Sequence, residues 1–160
     1  MIQVMTDRFP RSFLLAMWLV LLAACSSTGP VDLEQLDDAQ FRWDQRSFSD
    51  YSYEARIVCY CPTEIVSRVR IFVRGDRIVS VTDVATDQPV ATTFWNAWST
   101  VDDLFQRIRQ APQSSGVVRV DATYDAELGF PNNVDFVPDE GIADGGWSQT
   151  VFELAPLEGP

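Results

Sequence analysis

The sequence predicts an α+β fold in which one antiparallel sheet carries two helices packed on one of its faces. Two segments place their apolar residues at helical spacing, and six shorter segments alternate apolar and polar residues as strands do. Their order along the chain is helix, three strands, helix, three strands, and the short connections between strands favour antiparallel pairing. This order also allows a helix-plus-three-strand pseudo-repeat, although no repeated sequence accompanies it.

The first half is predicted to fold as one helix and three strands. The helix covers residues 31–45, because its apolar residues lie near one face and its first turn is acidic, as the helix dipole favours. Strand 1 alternates so that one of its faces is apolar and points to the core. The three strands, with a tight turn at Gly75-Asp76 between the last two, are assigned to residues 51–61, 66–74 and 77–83.

The second half begins with a looser stretch, residues 84–98, and then returns to helix and strands. Ser99 and Thr100 are suited to cap a helix that begins with two aspartates and stops at Pro112 and Gly116. Three alternating segments follow, the last two joined by an acidic loop. They are assigned as strands at residues 117–124, 134–137 and 147–154, with a turn over 129–133.

The N-terminus has the features of an export signal. A short basic region precedes an uninterrupted apolar run, residues 13–24, that is too short for a permanent membrane span. The run ends in Leu22-Ala23-Ala24-Cys25, which resembles the lipobox of bacterial lipoproteins. That resemblance implies cleavage before Cys25 and acylation of its sulfur and amino group, for example with palmitate. Several acyl chains on one residue would anchor the protein stably to a membrane.

The residue after the lipobox cysteine is Ser26, which in Gram-negative lipoproteins implies sorting to the outer membrane, here facing the periplasm. We therefore predict a lipoprotein signal peptide over residues 1–24, a tether over 25–30, a single domain over 31–156 and a loose tail over 157–160. An ordinary signal peptide, or an N-terminal anchor helix with a chance cysteine, is the alternative.

Composition argues against several classes of function. The net charge is −11 at pH 7, and every basic residue is arginine. Such an acidic surface repels nucleic acid, so no nucleic-acid partner is expected. The chain contains no histidine, the commonest general base and metal ligand. We therefore predict no catalytic residue, no metal site and no cofactor.

Four short motifs lie in order along the predicted domain, namely Tyr51-Ser52-Tyr53, Cys59-x-Cys61, Val101-Asp102-x-Leu104-Phe105 and Tyr124-Asp125-x-x-x-Gly129-Phe130-Pro131. Together they resemble a family of bacterial lipoproteins and secreted proteins that is known only as a domain of unknown function. Its motifs have the form C-x-C, ID-x-LF and YD-x-x-x-GYP, so Phe130 replaces the usual tyrosine. The resemblance covers about residues 43–154 and implies no activity, since none is established for the family.

Cys59 and Cys61 raise three interpretations. In a regular strand both sulfurs would face the core with their Cα atoms roughly 6.6 Å apart, at the upper edge of the disulfide range. An oxidising compartment favours the bond. Buried free thiols, and a redox or soft-metal site, remain open, although two thiolates without histidine could hold only a soft ion such as Cu(I).

The acidic segment at residues 135–146 raises the question of calcium. Carboxylates in a glycine-containing loop provide the hard oxygen ligands that calcium prefers. Their spacing does not match an EF-hand loop. A solvated acidic loop is therefore the favoured interpretation.

Two groups of residues are candidate binding surfaces. One consists of arginines on the outer face of strands 1 and 2, which could dock an anionic partner, contact the protein's own acidic half, or simply be solvated. The other is an aromatic group before the second helix, which could form an exposed patch or, as we favour, cover the end of the core. These residues are Arg56, Arg68, Arg70 and Arg74, and Phe94, Trp95 and Trp98.

The sequence thus predicts a lipid-anchored periplasmic protein that binds or supports another, unidentified envelope component and is not an enzyme. The alternative is a redox or soft-metal protein that uses Cys59 and Cys61. A hydrolase with Asp135 and Asp139 as paired carboxylates is a weaker third interpretation, because only their nearness in sequence supports it.

Overall fold

A computed structural model describes residues 30–142 and 145–157 of the chain. The predicted signal peptide, the lipid-attachment residue Cys25 and most of the predicted tether lie outside these residues, as does Asp144. Within the described part, no helix is long and apolar enough to cross a membrane.

Six strands form a single antiparallel sheet in the order β3-β2-β1-β6-β5-β4, which confirms the α+β class. Each half of the chain contributes three adjacent strands, and the halves meet where β1 pairs with β6. The strands are β1 Tyr51–Val58, β2 Val69–Arg74, β3 Arg77–Asp83, β4 Val117–Tyr124, β5 Pro131–Pro138 and β6 Trp147–Pro156. The helices are α1 Leu33–Asp44, α2 Thr63–Val66 and α3 Val101–Gln110, with 3₁₀ segments at Thr92–Ala97 and Ala111–Gln113.

Local chemistry accounts for where the two long helices begin. The Asp32 carboxylate accepts from the Gln35 N–H at 3.1 Å, and the Thr100 hydroxyl accepts from the Asp103 N–H at 3.1 Å. Each of these side chains satisfies a backbone donor that the helix itself leaves unpaired.

The hairpin between β2 and β3 also follows from local chemistry. Gly75 and Asp76 have φ values of 52° and 60°, as a two-residue type I′ turn requires.

The structure corrects the bounds of four strands. β2 begins at Val69 rather than at residue 66, because Thr63–Val66 forms the short helix α2, and β6 ends at Pro156 rather than at residue 154. β1 ends at Val58 rather than at residue 61, because the chain bends into a disulfide-closed turn and then into the short helix α2. β5 begins at Pro131 rather than at residue 134, because residues expected in a turn pair with β4 instead. The Thr123 hydroxyl and the Asn132 side-chain oxygen lie 2.6 Å apart in this extra pairing.

The real turn before β5 is built by Asp125 and Gly129. The Asp125 carboxylate accepts from the Leu128 N–H at 2.7 Å, and its backbone oxygen accepts from Gly129. Gly129 has a positive φ of 81°, and a Cβ at this position would collide with the Ala39 carbonyl of α1. Glycine is therefore required here both for backbone conformation and for close packing on α1.

Two tyrosines on the core face of β1 connect the first half of the chain to α3. The Tyr51 hydroxyl accepts from the Val101 N–H at 2.9 Å, and the Tyr53 hydroxyl donates to the Ser99 carbonyl. Burial raises the pKa of both tyrosines well above the usual value, so both hydroxyls keep their protons. Trp43 of α1 packs edge-on against Tyr51, with ring centroids 5.3 Å apart. Tyr51 thus contacts both α1 and the start of α3.

Replacing Tyr53 with phenylalanine should lower the free energy of unfolding by about 1–3 kcal/mol, because the buried Ser99 carbonyl loses its hydroxyl partner. Urea denaturation followed by tryptophan fluorescence measures the change. The matched control is Tyr60→Phe, which removes the same hydroxyl from an exposed side chain and should have almost no effect. Equal stability of the two variants would contradict the importance of the Tyr53 contact.

Candidate functional site

Two of the four candidate arginines are bound by the protein's own acids. Glu54, in β1, is only 4% exposed, and its two carboxylate oxygens lie 2.7 Å from Arg68 Nε and 2.7 Å from an Arg70 terminal nitrogen. Arg68 is also 3.4 Å from Glu153. Arg56 and Arg74 are exposed and form no ion pair with any described residue. Half of the arginine face is therefore an internal charge network, formed by Arg68 and Arg70 with Glu54.

The candidate aromatic residues contribute mainly to the core. Trp98 is 3% exposed, while Phe94 and Trp95 are partly buried against the same cluster. The Trp95 indole N–H donates to the Val90 carbonyl at 3.0 Å. Trp98 is therefore unavailable to a partner, and Phe94 and Trp95 are available only in part.

The acidic segment does not assemble a metal site in the part of the chain that the structure describes. Asp135 is an exposed residue of β5, and the Asp139 carboxylate accepts from the Gly141 N–H of its own loop at 2.9 Å. Among the described residues, no three histidine, cysteine, aspartate or glutamate side chains lie close enough together to hold a metal ion.

Cys59 and Cys61 form a disulfide, with their Cα atoms 5.3 Å apart. This separation is shorter than a regular strand would give, because β1 has already ended at Val58. The expectation that both sulfurs face the core is also wrong: Cys59 packs partly against the core, whereas Cys61 is exposed. The residue between them, Tyr60, is 87% exposed at the tip of the small ring.

A groove of about 440 Å³ lies beside this ring, and we call it the Tyr60 groove. Tyr60, Trp147 and Val58, which is 59% exposed, provide its apolar surface, and Asp135 adds a carboxylate. Its lining also includes Cys59, Gly146 and Ser148. Exposed aromatic and apolar residues gathered around a groove are typical of an interaction surface.

A second cavity, of about 270 Å³, lies between the C-terminal part of α3 and the ends of β4, β5 and β6, and we call it the Arg107 cleft. The Arg107 guanidinium carbon lies 4.1 Å from the centroid of the Trp147 ring, and one terminal nitrogen donates to the Ser99 hydroxyl at 3.2 Å. Phe136 packs edge-on against Trp147, with centroids 5.0 Å apart. Trp147 therefore lines both cavities.

Tyr60, Arg107 and Trp147 were not among the predicted site residues. Tyr60 lies between the two cysteines. If the C-x-C motif is taken to form a disulfide, it indicates that Tyr60 lies at the tip of a small disulfide-closed loop. Arg107 and Trp147 are 40 residues apart, and neither carries a local signal for their contact.

Replacing both Cys59 and Cys61 with serine should leave the fold intact and lower the free energy of unfolding by about 1–2 kcal/mol, since the closed loop contains only three residues. Circular dichroism and urea denaturation measure the two effects. Wild-type protein in reducing agent is the matched control and should behave like the double variant. A double variant that fails to fold, or wild-type protein with two alkylatable thiols in this region, would contradict the expectation.

Comparison with known proteins identifies a family that covers most of the chain. The model of a family of unknown function, DUF6174, matches residues 35–156. No curated protein and no solved structure matches the chain. The match covers every strand and long helix described above except the first two residues of α1, and it assigns no chemistry to them.

Proposed function

We propose that this chain, which belongs to the DUF6174 family of unknown function, is a lipid-anchored, non-enzymatic binding protein of a bacterial envelope. Its binding surface is the Tyr60 groove, and the partner is a protein with a basic surface. The observation that carries the proposal is the 87% exposure of Tyr60 at the tip of a disulfide-closed ring.

The disulfide ring suits Tyr60 to anchor a partner. A tyrosine offers a large amphipathic contact area, and tyrosines are enriched among the residues that dominate binding energy. The Cys59–Cys61 bond restricts the backbone on both sides of it, so less conformational freedom remains to be lost when a partner binds. Val58 and Trp147 supply apolar surface next to it.

Charge favours a basic partner at this groove. Asp135 lines it, and residues 120–160 contain nine acidic residues and no arginine. A field of one sign speeds the approach of an oppositely charged protein and disfavours anionic competitors such as nucleic acid. The proposed partner therefore presents arginine or lysine around an apolar pocket that accepts Tyr60.

The start of the described chain supports anchoring from one side of the sheet. The Val120 N–H of the edge strand β4 donates to the Pro30 carbonyl at 2.8 Å. Pro30 is five residues after Cys25, and five extended residues span at most about 17–18 Å. An anchor at Cys25 would hold the β4 edge close to the outer-membrane surface, with β3 on the far side of the sheet.

We further propose that both long helices pack on one face of the sheet and that the two halves of the chain are related as a pseudo-repeat. Tyr51 contacts Trp43 of α1 and Val101 of α3 from one face of β1, which supports both helices packing on that face. Each half of the chain forms a continuous three-strand unit preceded by a helix, and this arrangement supports a structural pseudo-repeat.

The redox alternative has one favourable observation, the exposure of Cys61. A thiolate from another protein could reach that sulfur and exchange with the disulfide. Soft-metal binding is less well supported, because the sulfurs are bonded to each other and would have to be reduced first.

Replacing Cys25 with serine should release the protein from the membrane fraction, because the acylated residue is lost. Cell fractionation measures this, and incorporation of labelled palmitate tests the modification directly. The double variant Cys59→Ser/Cys61→Ser is the matched control and should stay in the membrane fraction. Membrane-bound, palmitate-labelled Cys25→Ser protein would contradict lipid anchoring at this residue.

Replacing Tyr60 with alanine should weaken partner binding by roughly thirtyfold or more, as expected for a central anchor residue. A photo-crosslinking amino acid at position 60 first identifies the partner in intact cells, and titration calorimetry with the purified partner then measures the affinity. Asp135→Asn should mainly slow association, and this effect should shrink in high salt.

Position 41 is the matched control for both steps, because Phe41 of α1 is 66% exposed. Equal crosslinking at positions 41 and 60, or equal affinity of the Phe41→Ala and Tyr60→Ala variants, would contradict docking at the groove. A partner adduct that needs no photolysis, disappears with reductant and is absent in the cysteine double variant would support the redox alternative instead.

A further inference from the structure

We propose that the Arg107 cleft is a separate binding site for a small monocarboxylate with an apolar body. Neither the lipid anchor nor the Tyr60 groove is needed for this inference, although Trp147 lines both cavities. The volume of about 270 Å³ is near the lower end of small-molecule pockets, so the cleft suits a short acid or the terminal residue of a chain.

Among the described residues, no carboxylate compensates the charge of Arg107. Its side chain is half-buried, and no carboxylate forms an ion pair with it within residues 30–142 and 145–157. In the same part of the chain, ion pairs are formed by Arg46, Arg68, Arg70, Arg109 and Arg119. Burial lowers the pKa of Arg107, yet a guanidinium stays charged at neutral pH. A partly desolvated cation without a counterion is a ready site for an anion.

The Arg107 guanidinium is held in place and still has N–H donors available for a ligand. Trp147 supports one face of it at 4.1 Å, and the Ser99 hydroxyl accepts from one terminal nitrogen at 3.2 Å. Ser99 is itself positioned through its carbonyl, which accepts the Tyr53 hydroxyl. A guanidinium has five N–H donors in a planar fork, so enough remain for a bidentate contact with a carboxylate.

The lining of the cleft indicates which kind of anion fits it. Arg107 is the single basic side chain among the described residues that line the cleft, so one negative charge matches it. A phosphate carries more charge and three acceptor oxygens, and would require further donors. Ala111, Val117 and Phe136 form an apolar wall next to Trp147, which suits an aryl or short alkyl group. Together these features favour an apolar monocarboxylate over a phosphate.

The test is a titration of the full-length protein in detergent micelles with phenylacetate, followed by ¹⁹F NMR of 5-fluorotryptophan. The Trp147 resonance, assigned with Trp147→Phe, should shift and saturate at millimolar or lower concentration. Phenylacetamide, which has the same shape without the charge, should bind at least tenfold more weakly, because the charge-assisted contacts are lost. This comparison uses only wild-type protein and does not depend on the folding of any variant.

Variants then locate the anion contact. Arg107→Gln should weaken phenylacetate binding at least tenfold, and Arg107→Lys should be intermediate because it keeps the charge without the fork. The Arg119→Gln variant is the matched control, because Arg119 is exposed and paired with Asp121. The affinity of this variant for phenylacetate should equal that of the wild-type protein. A peptide ending in phenylalanine, with a free or an amidated C-terminus, distinguishes a chain terminus from a free acid as the source of the carboxylate.

Several results would overturn the proposal. These are the absence of a saturable shift, equal binding of the acid and its amide, tighter binding of phenyl phosphate than of phenylacetate, or equal losses in the Arg107 and Arg119 variants. Asp144, which precedes Gly145 in the sequence, is also replaced by asparagine. Unchanged or tighter binding of phenylacetate to the Asp144→Asn variant would agree with the proposal, and loss of binding would contradict it. The reason is that binding a carboxylate ligand requires no carboxylate on the protein.

Discussion

Two buried tyrosine hydroxyls hold the segment before α3 against the central strand β1, and the Arg107 cleft depends on this contact. Tyr53 donates to the Ser99 carbonyl, and Tyr51 accepts from the Val101 N–H. The Ser99 hydroxyl in turn accepts from Arg107. Ser99 and Val101 therefore link β1 to the cleft. The Ser99 carbonyl and the Val101 N–H are both paired inside the core, where an unpaired group would be costly.

Trp147 lies between two surfaces whose charged groups have opposite signs. On one side lies the Tyr60 groove, whose charged group is the Asp135 carboxylate. On the other lies the Arg107 cleft, whose cation rests on the face of the indole. A basic protein suits the first and a small acid suits the second, so the two proposed ligands would not compete for charge. Both ligands would contact the Trp147 side chain. Binding at one site would therefore change the affinity at the other only if it changed how the Trp147 indole is held.

The arginines of β1 and β2 show how a surface pattern can be misleading. Alternation correctly places Glu54 on the face opposite the core residues of β1, and such a face is normally solvated. Two arginines nevertheless cover Glu54 and leave it 4% exposed. Only the register of the β1–β2 pair, which sets Glu54 opposite Arg70, turns these residues from a candidate docking surface into a contact between strands.

By itself, the sequence determined those features that depend on neighbours a few residues away. They include the helical and strand periods, the helix cap at Thr100, and the left-handed turn at Gly75 and Asp76. The tertiary structure alone decided the pairing of β1 with β6, the early end of β1 and the meeting of Arg107 with Trp147. The strand pairing and the Arg107–Trp147 contact join residues far apart in the chain, about which local propensity carries no information. The early end of β1 accompanies the Cys59–Cys61 bond, which the sequence left as one of three interpretations.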